Sequence, residues 1–371
     1  MTFARSIRSL APAAALVTTA ALLTACGSGN EPQPAADGAP AAAADAPQFS
    51  LAWSEYPSWS VFGVADLYGL IDGDAGKLGP IEQKHNVDLV LNETDYDTCL
   101  TLYATGEVDA VCITNMDILN PATSRPSVAI LPTSTSNGAD ALIVTGVDSI
   151  EDLKSTPAYG LEASVSQYAF VRGLEVNGFD PAEFTFTNMD PAAAAQAMIT
   201  RQDGFDAIVV WNPFVLETLK QRSDAKVLFD SSAIPGEIVD MVVVADESLA
   251  REGGDRAARA IAEAFYAVCR KLEDSAEGDE ALVALGSKFS SLGFEQMQVV
   301  VEQTDFYETP ELAAELFTGA ELPETMKTVV AFCQTYGIIT DAPTIGYGDG
   351  AAQLRFTAEY VTEPAADQPG G

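Results

Sequence analysis

Asp206-Ala-Ile-Val-Val-Trp211-Asn212-Pro213 decides the reading of the fold. A short apolar run bounded by polar and turn-forming residues is a strand covered on both faces. Here it runs out into an aromatic residue, a polar residue and a proline that opens a helix. Junctions of the same kind recur on both sides of it. Upstream, Phe49–Trp53, Val87–Leu91, Asp109–Ile113, Val128–Leu131 and Ala141–Val144 read as strands, with a polar run from Thr133 to Asn137 between the last two. A second series starts near Ile150, with strands at Ala158–Leu161, Phe184–Phe186, Ala207–Trp211 and Val227–Phe229. Glu237–Val244 returns as a strand, and the chain to Tyr336 is mainly helical in spacing.

The helices carry their own punctuation. Thr94-Asp95 predicts a helix start and Gly106 its stop. Ser164 and Gln167 have capping-box spacing, Asn177-Gly178 reads as a stop, and Asp190-Pro191 as a capped start that Asn212-Pro213 repeats. Strands alternating with helices predict an α/β protein with mainly parallel sheets flanked by helices. The second series lies inside the first, which predicts two lobes joined by crossing strands near 141–145 and 237–242. The expected division is 49–141 with 240–360 as lobe 1, 142–239 as lobe 2, and 361–371 as a polar tail. In such sheets ligands bind at the carboxyl ends of the strands.

The ends add an address. Arg5 and Arg8 precede an apolar run from Leu10 to Ala25, which predicts a secretory signal over 1–25, too short to span a membrane. Leu23-Thr-Ala-Cys26 resembles the bacterial lipobox, so Cys26 is the expected lipidated residue, holding the protein on a membrane facing the periplasm or cell exterior. Residues 26–48 are nearly all small or polar and read as a tether. Of the five cysteines, Cys99, Cys112, Cys269 and Cys333 remain; Cys99–Cys112 with Cys269–Cys333 is one of three connectivities, and free buried thiols are the alternative.

Asp and Glu number 54 against 19 Lys and Arg, a formal net charge of −35. That field excludes nucleic acid as a partner. With one histidine, His85, which reads as a solvated surface residue, the chain offers no metal cluster and no nucleophile–histidine pair; no phosphate loop or dinucleotide fingerprint occurs. No catalytic residues, metal or cofactor are expected.

A binding cleft is better supplied. The strand ends present Trp53, Tyr56, Trp59, Asn115, Asp117, Glu162, Ser164, Trp211, Asn212, Glu237 and Asp240, with Asp95 and Tyr96 at the rim. Aromatic walls with a few fixed polar groups make small-solute pockets. Rings with carboxylates suit a cation or a group rich in N–H donors. None of these junctions carries Arg or Lys. Ser164 and Asn212 read equally well as helix caps, Trp53 as core, and Glu237 and Asp240 as hydrogen-bond acceptors at a crossing.

Thr114-Asn-Met-Asp117, Glu162-Ala-Ser-Val-Ser-Gln-Tyr168, Val210-Trp-Asn-Pro213 and Ser231-Ser-Ala-Ile-Pro-Gly-Glu-Ile-Val-Asp240 resemble the substrate-binding proteins of ABC transporters of the nitrate/sulfonate/taurine type. The similarity spans about Phe49 to Tyr336 and is nearest the branch found beside urea carboxylase-type enzymes and associated with guanidine use. The resemblance implies a two-lobed periplasmic-binding-protein-like fold (type II) with a hinge, acting as a monomer. It implies a partner permease with ATPase subunits, and a small solute such as guanidine, urea or an amidine. A sulfonate such as taurine, or a pyrimidine vitamin precursor, is the alternative ligand; a sensory module without transport is the alternative role.

Overall fold

The computed structural model describes residues 46–362. The expected signal, the expected lipidation site at Cys26, nearly all of the expected tether and most of the expected polar tail lie outside those residues. Thirteen strands are described: β1 (Gln48–Trp53), β2 (Asp88–Glu93), β3 (Ala110–Thr114), β4 (Ser127–Ser136), β5 (Asp140–Thr145), β6 (Ala158–Gly160), β7 (Phe186–Asn188), β8 (Ala207–Trp211), β9 (Ala225–Asp230), β10 (Val239–Ala245), β11 (Thr304–Phe306), β12 (Ile345–Tyr347) and β13 (Leu354–Phe356). They form two sheets. One has the order β12-β13-β4-β10-β3-β1-β2, with β11 also on β4; the other has the order β7-β6-β8-β5-β9.

Both sheets are mixed: most strands share one direction, as expected, and β5, β10 and the short β11 run against it. β10 runs antiparallel to both β3 and β4, and β5 runs antiparallel to both β8 and β9. The chain passes from the first sheet to the second at 137–139 and returns at 231–238. β10 is buried along its whole length between two neighbours, which explains its unbroken Val-Val-Val run.

The strand expected over Val128–Leu131 does not stop at the polar run that follows it. Instead β4 continues through Thr133 to Ser136, buried at every position. Buried hydroxyls require partners, and these find them in carboxylates and neighbouring hydroxyls described below. β7 likewise starts at Phe186 because Pro181–Glu183 is taken up by a 3₁₀ turn.

Local signals held where side-chain chemistry dictates the end of a helix. Asp95 accepts from Thr98 N and Gly106 ends Tyr96–Thr105 at φ 79°. Asp190 accepts from Ala193 N ahead of Pro191–Ile199. Asn212-Pro213 does not repeat this device: its peptide bond is cis, Pro213 occupies the N-cap position of Phe214–Gln221, and no side chain caps that helix.

His85 is not freely solvated; its Nε2 lies 2.7 Å from Glu263 Oε2. The four described cysteines are free and buried rather than disulfide-bonded. Burial raises all four thiols, Cys99 and Cys333 to about 12. No described helix is long and apolar enough to cross a membrane.

The second sheet is sealed by the helix Val165–Val176 lying close over β9. A Cβ on Gly173 would stand 2.2 Å from the Phe229 ring. Gly173→Ala is therefore expected to destabilise the protein by roughly 1–3 kcal/mol through overpacking, read as a lower thermal midpoint by circular dichroism.

Candidate functional site

Two crossing strands open on an aspartate. Asp140, the first residue of β5, stands opposite Trp211, the last residue of β8. Asp240, near the start of β10, stands opposite Thr114, the last residue of β3, and opposite Ser134 of β4. Antiparallel pairing puts the beginning of one strand beside the end of its neighbour. Both carboxylates therefore arrive at the edge where the parallel strands finish.

They line a cavity of about 30 Å³. A single water needs roughly 10–15 Å³ on this measure, so the space suits a solute of a few non-hydrogen atoms. Four rings wall it: Tyr56, Trp59, Tyr96 and Trp211. Trp59 stacks on Tyr96 at 5.3 Å and 23°, Tyr56 tilts against Trp59 at 4.9 Å, and Trp211 meets Tyr96 edge-on at 6.3 Å. No lysine or arginine lines the cavity.

The carboxylates are held by hydroxyls. Ser134 Oγ lies 2.7 Å from Asp240 Oδ2 and 2.8 Å from Ser58 Oγ. Ser136 Oγ donates to Asp140 Oδ2 at 2.6 Å and lies 2.7 Å from Ser231 Oγ. A third acid, Asp117, is reached through Tyr96, whose hydroxyl donates to Asp117 Oδ2 at 2.7 Å; Thr114 Oγ1 donates to the same oxygen at 2.9 Å. Burial pushes Asp117 and Asp140 up to about 6, against the lowering effect of these hydroxyls. Burial also raises Asp240, with the Asp140 charge adding to it. The Tyr56 hydroxyl lies beside Asp240 and Ser136 without a well-formed hydrogen bond to either, and Trp59 Nε1 and Asp117 Oδ1 also lack partners.

Of the residues expected at the cleft, Tyr56, Trp59, Ser164, Trp211 and Asp240 line this cavity, and Tyr96 moves from rim to wall. Ser164 does both of its jobs: its Oγ accepts from Ser166 N at the start of Val165–Val176 while the residue faces the cavity. Gln167 closes the cap one residue early, accepting from Ala163 N.

The other expected residues are placed elsewhere. Trp53 is 1% exposed and packs beneath, its ring against Gly63. Asn115 ties the end of β3 to the start of β10, accepting from Val239 N and donating to Glu237 O. Asn212 donates to Gln303 Oε1 at 2.8 Å instead of capping a helix. Glu162 is exposed and lines a separate outer groove. Glu237 is engaged by Arg172 through both oxygens and by the Tyr168 hydroxyl. Burial alone would raise the Glu237 carboxyl, but Arg172 and Tyr168 outweigh it and hold it below its usual range.

Asp140 was missed because it stands at the beginning of its strand, where the strand-end rule does not look. Asn137-Gly138 followed by an acid directly before an apolar run is the signal that was there to read.

A larger space of about 940 Å³ shares Ser54, Tyr96 and Trp211 with the cavity. Glu55, Glu93, Asp95, Asp97 and Asp190 line it, with no lysine or arginine. Among the described residues, no group of three or more His, Cys, Asp or Glu is arranged to hold a metal ion.

The raised carboxyls have a stability consequence. The folded protein keeps protons on Asp117 and Asp140 at pH values where the unfolded chain, titrating near about 4, has lost them. That stabilisation is complete below about pH 4 and is lost as pH rises through about 6. Asp140→Asn is expected to raise the thermal midpoint at pH 8, and to narrow its lead over wild type at pH 4, in paired melting curves.

No family model matches the sequence, and no curated protein matches it. Solved structures do match in shape. The periplasmic aliphatic sulphonate-binding protein SsuA from Escherichia coli superposes with a TM-score of 0.62 at 15% identity, covering 80% of this chain and 94% of its own. The alkanesulfonate-binding protein SsuA from Xanthomonas axonopodis pv. citri, bound to MOPS, gives 0.62 at 14% identity over 78% and 93%. The periplasmic nitrate-binding protein NrtA from Synechocystis PCC 6803 gives 0.51 at 11% over 77% and 86%. These neighbours give no support to the narrower guanidine-associated branch. The chain has the α/β fold of these periplasmic binding proteins.

Proposed function

We propose that this protein is the solute-binding component of an ABC importer. It captures a small nitrogen-rich solute, of the guanidine, urea or amidine class, between two lobes comprising 49–141 with 240–360 and 142–239. The lobes close by a hinge at the two crossings. The protein is a monomer, exported and held to the membrane through Cys26, and it hands its solute to a permease with ATPase subunits.

The observation that carries this reading is the cavity itself: four rings, Asp140 and Asp240, and no lysine or arginine. Rings present negative faces to a cation, and carboxylates accept its N–H groups. A sulfonate or nitrate in the same place meets charge of its own sign. A like charge at about 4 Å costs roughly 4 kcal/mol at an effective dielectric of about 20, about a thousandfold in affinity. The fold neighbours that bind sulfonates therefore suggest the role, and the cavity's charge suggests a different ligand. Glu162 and Glu237 play no part in capture; Tyr56, Trp59, Trp211, Asp140 and Asp240 carry it, with Asp117 acting through Tyr96.

Calorimetry of the full-length protein against guanidinium, urea, taurine and nitrate tests the ligand class. Binding of guanidinium or urea is expected; binding of taurine or nitrate alone would overturn it. Trp211→Ala is expected to weaken binding by about 3- to 30-fold, the range of one desolvated cation–π contact. The five acids of the outer space are expected to steer a cation inward, so its association rate should fall as salt rises from about 10 to 300 mM in stopped-flow, with little change in dissociation.

A further inference from the structure

We infer that the cavity takes its solute as an organic monocation in exchange for a proton shared among Asp140, Asp240 and Asp117, so that capture and proton release are one event. The inference rests on the solute-binding reading above and adds to it the charge and the exchange.

The geometry supplies the reason. The three carboxylates are 2%, 2% and 8% exposed. Among the described residues, none of them makes an ion pair, and every hydrogen bond their side-chain oxygens accept comes from a neutral hydroxyl: Ser136, Ser134, Tyr96 and Thr114. The groups facing them from neighbouring elements are also uncharged. Asp240 is faced by Tyr56 from the first loop, Tyr307 after β11 and Cys112 on β3. Asp117 is faced by Tyr96 and by Cys333 on the helix Glu321–Thr335. Asp140 is faced by Tyr56, with the Ser136–Ser231 hydroxyl pair behind it. Asp140 acts on Asp240, and Asp117 acts on both.

A buried carboxylate without a counter-charge is expensive, and three that repel one another cannot all ionise. They titrate as a coupled set in which at least one oxygen keeps its proton near neutrality. A monocation supplies the missing charge. In the exchange the carboxyl O–H gives its proton to solvent, and the oxygen lone pair released accepts an N–H of the guest; no covalent bond to the guest forms. The rings then cover the faces of the guest while the carboxylates take its edge.

The sign of the linkage separates ligand classes. A cation expels a proton and binds more tightly as pH rises. An anion must be met by protonated acids, takes up a proton and binds more weakly as pH rises. A neutral solute changes little.

The test is calorimetry of the full-length protein with guanidinium between pH 5 and 8, in buffers of different ionisation enthalpy. The expected result is release of about one proton near pH 6, with affinity rising by up to about tenfold per pH unit below the titration and levelling above it. Asp140→Asn, checked for folding by its melting curve, is expected to reduce both proton release and the pH slope. Guanidinium affinity that is flat or falls with pH would overturn the exchange while leaving the solute reading in place. Carboxyl carbon NMR of the ligand-free protein gives an independent check: a raised titration lost in Asp140→Asn or Asp240→Asn supports the proton store, and its absence overturns it. Failure of guanidinium, urea and methylammonium to bind at any pH would overturn both readings.

Discussion

Where a chain leaves one sheet to build another and then comes back, the strand after each crossing must enter its new sheet against the grain of its neighbours. β5 and β10 both do so. A parallel strand offers only its carboxyl end to a site, and the residues there sit on the loop that follows. An antiparallel crossing strand offers its first residues, fixed by ladder hydrogen bonds on both sides. Asp140 and Asp240 are held in this way, by backbone instead of by loop, and each is supported by a serine near the end of β4. The rings arrive differently. Tyr56 and Trp59 follow β1, Tyr96 opens a helix, and Trp211 ends β8. Acids held by strand backbone thus meet rings carried by a loop, a helix start and a strand end around one cavity.

Charge is used in two ways along this chain. Most of the 54 acids are solvated, where an unpaired carboxylate costs little and keeps the protein soluble. The three near the cavity are deprived of water and of a counter-charge. Their hydroxyl neighbours lower the cost of ionisation without cancelling it. Glu237 shows the contrasting solution a short distance along the chain: a half-buried acid is matched by Arg172 and the Tyr168 hydroxyl. One guanidinium separates its environment from that of the three deeply buried acids, which have hydroxyl partners alone.

Much of this was legible in the sequence because it rests on local chemistry. Buried βα strands, helix caps at Asp95 and Asp190, the aromatic loop residue Trp59 and the aromatic strand end Trp211 are set by residues a few positions apart. What was not legible depended on distant partners. Thr133–Ser136 stayed outside the expected strand because nothing nearby announces that a carboxylate more than a hundred residues later will take the Ser134 hydroxyl. Glu237 looked like a ligand group because Arg172 lies 65 residues away. Trp53 and Trp59 are alike in the sequence. Strand pleat turns the first into the core and the turn after Tyr56 brings the second to the cavity. Asp140 was overlooked for a topological reason, since only an antiparallel crossing brings a strand's first residue to the ligand edge.

The free thiols bear on how such a protein reaches its working state. Cys99, Cys112, Cys269 and Cys333 are packed into the hydrophobic core with their thiolate forms suppressed by burial. A thiol so protonated is a poor nucleophile toward oxidants and disulfides. The described body therefore holds together without a disulfide, by packing, hydrogen bonds and ion pairs, and its thiols become reactive only where that packing opens.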